Sequence, residues 1–380
     1  MQLQSRLPDT GTSIFTIMSA LAAEHGAINL SQGFPDFDVD PELIRLVSKA
    51  MVDGYNQYAP MPGLPALREA IADVIYRTYN RVTDPQTEVT VTAGGTAALY
   101  AAITALVRPG DEVIIFDPSY DSYSPAVRLN GGIPVHLNLL PPDFGIPWQQ
   151  VENAVNEKTR MIIVNTPHNP CGSVLSEDDM RRFGALCRAH NIILLSDEVY
   201  ERIIFDGKHH HSVLSFPDLK DHAIAVFSFG KTFHVTGWKT GYLVAAPELT
   251  KEIRKSHQFI TFSVNTPMQH GIAAYLKESS RYTSLGQFYQ TKRDFFLEQL
   301  RDSPFTALPC YGSYFQVVSF GAYSDEGDRE LATRLTREAG LASIPVSAFY
   351  RDGSDHHLLR FCFAKRNETL EAAGKILRTL

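Results

Sequence analysis

The chain has 380 residues, 44% of them hydrophobic and 20% charged, with a formal net charge of −7. That balance excludes a disordered or low-complexity chain, and an acidic excess without a long basic run excludes nucleic acid or an anionic membrane as the main partner. The length exceeds what one hydrophobic core usually fills, so two packed lobes are expected.

The opening stretch, Met1 to Ser13, lacks the basic-then-apolar layout of a secretory signal, and the apolar run Ala97 to Val107 is too short to span a bilayer. A cytoplasmic location is therefore expected. Cys171, Cys187, Cys310 and Cys362 are widely spaced with no C-x-x-C pair, so free, mostly buried thiols are expected rather than a zinc or redox motif. His209-His210-His211 follow a turn-like Asp206-Gly207 and do not share a face, so no metal site is expected there.

Between about residues 85 and 245, short β-rich runs alternate with longer helical patterns, the signature of a mostly parallel sheet covered by helices. Glu88 to Thr92 runs into Ala93-Gly94-Gly95-Thr96, after which Ala97 to Val107 reads as a helix. Glu112 to Phe116 runs into Asp117-Pro118-Ser119-Tyr120. Met161 to Val164 runs into Asn165-Thr166-Pro167-His168-Asn169-Pro170, and Ile192 to Ser196 into Asp197-Glu198-Val199-Tyr200. Ala223 to Phe229 leads to Gly230-Lys231-Thr232. Ligands of open α/β sheets sit beyond the carboxyl ends of the strands, so these five ends are expected to converge on one site.

Each end also has a plainer reading. Lys231 on its own is a solvated surface lysine, and Gly230-Lys231-Thr232 imitates the close of a nucleotide P-loop, but the first glycine of that motif is replaced by Ala225. Gly94-Gly95 is a plain strand-to-helix turn or a phosphate site, since glycine permits close backbone approach and a helix start presents N–H groups. Asp197 follows an apolar strand, where an unpaired carboxylate is costly and needs a cation or strong donors.

These residues, in this order, resemble the class I aminotransferases of the pyridoxal-phosphate-dependent fold type I. The resemblance covers nearly the whole chain, from Asn29-Leu30-Ser31-Gln32-Gly33-Phe34-Pro35 through Asn56-Gln57-Tyr58 to Leu359-Arg360-Phe361. It looks most like the kynurenine and glutamine aminotransferase branch, and Tyr58-Ala59-Pro60-Met61 with Phe262-Ser263-Val264-Asn265-Thr266-Pro267 look like the bacterial methionine aminotransferases. It implies an α/β fold with a mostly parallel, seven-stranded type of sheet in a large domain at residues 41–275. A smaller α+β domain would combine residues 1–40 with 276–380, and the two lobes would close on substrate.

The same resemblance implies that Lys231 bonds the aldehyde of pyridoxal 5′-phosphate and then carries protons in a ping-pong transfer. Asp197 would pair with the ring nitrogen, Tyr200 and Asn169 with the ring hydroxyl, and Tyr120 would stack on the ring, with Tyr123 as the other candidate. Ser228, Gly95, Thr96 and Lys239 would hold the phosphate. Tyr58 would reach the phosphate of a neighbouring subunit, implying a homodimer with shared sites. Arg360 would grip the substrate α-carboxylate, with Gly33 and Asn165 as nearby polar contacts and Phe15 in the substrate pocket. Asn169-Pro170 and Asp117-Pro118 are expected to be cis.

For the substrate, Phe259-Ile260-Thr261-Phe262 lacks the arginine by which aspartate aminotransferases hold a side-chain carboxylate. Val264-Asn265 stands where mammalian kynurenine aminotransferases carry a Phe-His pair, and Phe15 where they carry a tryptophan. An apolar pocket results, suited to methionine and also to glutamine, leucine, aromatic amino acids or kynurenine, with a 2-oxo acid as acceptor. A carbon–sulfur β-lyase of the same fold is the nearest alternative. A non-catalytic cofactor-binding regulator is the other, and the roughly thirty residues before Gly33 leave no room for a helix-turn-helix domain.

Overall fold

A computed structural model describes residues 3–380. Its strands, in chain order, are β1 (Ile28–Asn29), β2 (Val89–Thr92), β3 (Glu112–Asp117), β4 (Ile133–Asn138), β5 (Thr159–Asn165), β6 (Ile193–Asp197) and β7 (Ala223–Ser228). They continue with β8 (Gly241–Ala245), β9 (Thr306–Ala307), β10 (Phe315–Ser319), β11 (Leu341–Ala342), β12 (Ile344–Pro345) and β13 (Leu358–Cys362). Seven of them form one sheet in the order β2-β8-β7-β6-β5-β3-β4. Only β8 runs against its neighbours β2 and β7; the other contacts are parallel.

Parallel strands covered on both faces need apolar residues at every position rather than at alternate ones. Ile193–Asp197, parallel to both neighbours, is buried throughout, and so are Val89–Thr92 and Gly241–Ala245 of the antiparallel pair. One face is covered by the helices Gly95–Leu106 and Pro247–Ile260, through Ala98, Leu99, Ala102 and Ile253. The other receives Met180, Phe183 and Cys187 of the helix Glu177–His190. Phe183 is fully buried, and such burial contributes about 1.5–3 kcal/mol. That helix starts on a capping box, with the Ser176 hydroxyl accepting from Asp179 N and Asp179 accepting from Ser176 N.

A second, four-stranded antiparallel sheet has the order β9-β10-β13-β12. The short β1 pairs in parallel with β11, and Cys362 N then donates to the Leu30 carbonyl at 2.8 Å. The segment Ser31–Gly33 is thereby fixed beside the end of β13. All four cysteines are free and buried. The peptide bonds before Pro118 and Pro170 are cis as expected, and so are those before Pro142 and Pro167.

The element boundaries differ from the sequence reading in small ways. Asp197 is the last residue of its strand rather than the first beyond it, and the helix expected from Ala97 begins at Gly95. Phe229 closes no strand; it opens a one-turn helix, Phe229–Thr232, that carries Lys231.

Candidate active site

The carboxyl ends of β2, β3, β5, β6 and β7 lie along one edge of the large sheet, and β8 starts from that edge because it runs the opposite way. The residues given cofactor or substrate contacts in the sequence line one cavity of about 320 Å³ at that edge, except Tyr58; Tyr123, Val264 and Asn265 also lie outside the lining. Tyr58 is 81% exposed and rests edge-on against Phe262, away from the cavity.

Lys231 is partly buried, and its Nζ donates to the Tyr314 hydroxyl at 2.8 Å and to the Gly33 carbonyl at 3.3 Å. Burial pushes its ammonium down to about 8, aided by the positive charges of Arg360 and Lys239 and opposed by Cys362 and Asp197. A fraction of the amine is thus neutral, and therefore nucleophilic, at neutral pH.

Asp197 is buried and accepts from the Tyr123 hydroxyl at 2.7 Å on Oδ2. Desolvation pushes its carboxyl up to about 6, against the pull of the Tyr123 hydrogen bond and the Val199 N–H. Asn165 donates to the Asp197 backbone carbonyl at 2.8 Å and accepts from Asn169 N at 2.7 Å. Tyr200 is buried with its ring edge-on to Tyr314, and desolvation raises its phenol far above the ordinary value.

Arg360, in β13, is fully buried and has no carboxylate partner among the described residues. One terminal nitrogen donates to Asn169 Oδ1 and the other to the Ser31 carbonyl, each at 2.7 Å. Its guanidinium lies 3.9 Å from the Phe315 ring centroid and 5.2 Å from that of Phe15. The Nε–H is buried without a partner. Desolvation brings this group down to about 10, so it stays cationic at neutral pH.

At the opposite wall, Gly94 takes φ +81° and Gly95 begins its helix. A Cβ on Gly95 would lie 3.0 Å from Val199, so glycine keeps this floor open. The Thr96 hydroxyl meets that of Tyr120 at 3.2 Å. Ser228 ends β7 within the lining, and the Lys239 amine packs over Gly94.

The lining carries three cations, Lys231, Lys239 and Arg360, against the single carboxylate of Asp197. An excess of positive charge in a partly enclosed site suits a ligand with anionic groups at two ends. Pyridoxal 5′-phosphate with an amino acid satisfies this: one end is a phosphate, the other a carboxylate, and a buried acid and an amine lie between.

Two site residues escaped the sequence reading. Tyr123, the alternative to Tyr120 for stacking, instead donates its hydroxyl to Asp197. Tyr314 was not singled out at all. The only available signal was its place before an apolar strand, which core tyrosines share.

The fold and the site define a pyridoxal-phosphate-dependent enzyme of fold type I. Residues 25–376 match the family model of class I and II aminotransferases, and the chain belongs to that family. It is an aminotransferase acting on amino acids. It is 51% identical to a methionine aminotransferase of Escherichia coli (strain K12), over 99% of this chain and 98% of the relative. It is 35% identical to kynurenine–oxoglutarate transaminase 3 of Rattus norvegicus, over 98% and 89% respectively. A crystal structure from Escherichia coli, described as identifying a methionine aminotransferase function, superposes with a TM-score of 0.98 at 51% identity, covering 100% of both chains. Among the described residues no helix is long and apolar enough to cross a membrane.

Proposed function

We propose that this aminotransferase moves the amino group of methionine to a 2-oxo acid, and that glutamine, leucine, aromatic amino acids and kynurenine are accepted more weakly. The observation that carries this reading is the cavity itself: an unpaired buried guanidinium and a depressed lysine amine share it with the apolar side chains Phe15, Leu99 and Phe315. The name of the Escherichia coli relative supports methionine. An apolar pocket separates side chains one methylene apart by only about 1–3 kcal/mol, which accounts for breadth.

In this reading Arg360 binds the substrate α-carboxylate. Asn169 and Ser31 each occupy one side of its fork, so the remaining N–H groups, Nε included, are free for the carboxylate. Lys239, Ser228, Gly95 and Thr96 hold the cofactor phosphate, together with Tyr58 supplied across a homodimer interface. Tyr120 packs on the cofactor ring, and Tyr200 and Asn169 bind its hydroxyl. Asp197 keeps the ring nitrogen protonated. Bound pyridoxal phosphate supplies an electron sink for the pair released at the substrate Cα. Lys231 would hold the cofactor through its amine and, with that amine free, would take up and return the proton of the substrate Cα.

The reading extends to a large domain at residues 41–275, a small one made of 1–40 with 276–380, and a cytoplasmic homodimer. Closing the lobes would bring Arg360 toward Lys231 and exclude water. Incubation with methionine and a panel of 2-oxo acids tests the function: a new amino acid should form in step with the 2-oxo acid of methionine. Ammonia release without a new amino acid would instead identify a lyase.

A further inference from the structure

Tyr314 is fully buried at the entry to β10. Its ring is clamped edge-on by Tyr200 at 5.0 Å and tilted against Tyr289 at 5.8 Å. Its hydroxyl donates to the Gly33 carbonyl at 2.6 Å. With the proton so directed, the phenol oxygen meets Lys231 Nζ as an acceptor only, at 2.8 Å. The Gly33 carbonyl is the second acceptor for the same nitrogen. A Cβ at Gly33 would lie 2.6 Å from Phe315 Cζ, so glycine lets carbonyl, phenol and amine meet without displacing that ring.

A neutral primary amine has two N–H bonds and one lone pair. If both N–H bonds are taken by fixed acceptors, the direction of the lone pair is fixed as well. Tyr314 and Gly33 together supply those acceptors, which leaves the lone pair for the cavity. We propose that Tyr314 is a positioning residue: with the Gly33 carbonyl it holds the unbonded Lys231 amine so that its lone pair faces the substrate Cα. The inference rests on the reading of Lys231 as the cofactor-bonding, proton-carrying lysine. Burial keeps the phenol protonated, which preserves its role as donor to Gly33. The adjacent Phe315 packs on Arg360, so one dipeptide sets both the amine and the carboxylate site.

The test compares wild type with Tyr314→Phe, which keeps the ring and removes only the oxygen. In the holoenzyme, borohydride should fix the cofactor to Lys231 in both, and KM for methionine should stay within about twofold because Arg360 is untouched. The kcat of Tyr314→Phe should fall about 10- to 100-fold, the order expected when a reacting group loses its alignment. The isotope effect with Cα-deuterated methionine should rise as proton transfer becomes limiting. An unchanged kcat, or a lower kcat with an unchanged isotope effect, would overturn the proposal. In the cofactor-free protein, an amine-acylating reagent followed by peptide mass analysis should modify Lys231 more slowly in Tyr314→Phe, whose lone pair is no longer held toward the cavity, and an equal or faster rate would count against the two-acceptor hold. Cofactor fixed elsewhere than Lys231 in wild type would overturn the underlying reading instead.

Discussion

Tyr123 and Asp197 are 74 residues apart in sequence, yet the hydroxyl of one donates to the carboxylate of the other at 2.7 Å with both side chains buried. The contact joins the first residue of the helix Tyr123–Leu129 to the last residue of β6. It stabilises the charged form of an acid that desolvation otherwise pushes toward neutrality.

Tyr123→Phe therefore raises the Asp197 carboxyl further. A hydrogen bond to a charged group is worth about 1.5–3 kcal/mol, or about one to two pH units. The acid limb of cofactor affinity, set in wild type by a group near about 6, should move up by that amount. A spectrophotometric cofactor titration across pH measures it.

The same group gives the cofactor-free protein a pH signature. Its value is raised from 3.8 to about 6, so the folded chain holds a proton that the unfolded chain has released. Stability from this group is greatest below 3.8 and is lost as pH rises to about 6. Thermal melts of Asp197→Asn should lack that slope.

Lys231 gives the opposite sign. Its value falls from 10.5 to about 8, so between these the folded chain binds fewer protons and gains stability as pH rises. Lys231→Ala should remove this gain and reduce turnover by at least about 10²–10⁴, the usual worth of positioned proton transfer. Differential scanning calorimetry and steady-state rates check the two halves separately.

Arg360→Lys keeps the charge but loses the planar fork. KM for methionine should rise about 30-fold, corresponding to about 2 kcal/mol of charge-assisted hydrogen bonding. Asn169 would lose its donor at the same time, so its replacement by alanine should cost less in the Arg360→Lys background than in wild type, the remainder reflecting its cofactor contact. A double-mutant cycle on kcat/KM measures the coupling.

Asp9 bridges Arg128 at 2.5 Å and Arg351 at 2.7 Å, strapping the start of the chain across two distant segments. Both arginines hold its carboxyl down to about 2, so the strap is intact above 3.8 and released as pH falls toward 2. Exposed ion pairs are screened by salt. Hydrogen exchange of residues 3–13 should accelerate as salt rises toward about 1 M in wild type, and be fast at all salt concentrations in Asp9→Asn.

The site was legible in the sequence where chemistry coincides with a strand end. Asp197, Asn165 and Lys231 each interrupt or follow an apolar run, and a polar residue at that place needs a reason. The antiparallel sense of β8 was not legible, because an all-buried strand has the same composition in either direction. Tyr314 and Tyr123 were not legible either. In a chain with 16 tyrosines and 22 phenylalanines, one more aromatic beside an apolar segment reads as core. Their roles arise from contacts that no local pattern encodes: Tyr314 reaches Gly33 across 281 positions.

The stitching of Ser31–Gly33 beside β13 has a temporal consequence. The ribosome delivers Asp197, Lys231 and Lys239 together with the whole large sheet by Ala245, while Tyr314 and Arg360 emerge later. At about 5–20 residues per second, the gap to Cys362 lasts on the order of 10 s. During it the nascent chain has the Lys231 amine and the Asp197 acid but neither the Arg360 guanidinium nor the Tyr314 phenol. If Arg360 holds the substrate carboxylate as proposed, only the finished polypeptide pairs a cofactor with a substrate, and a chain truncated before β13 should show no transamination.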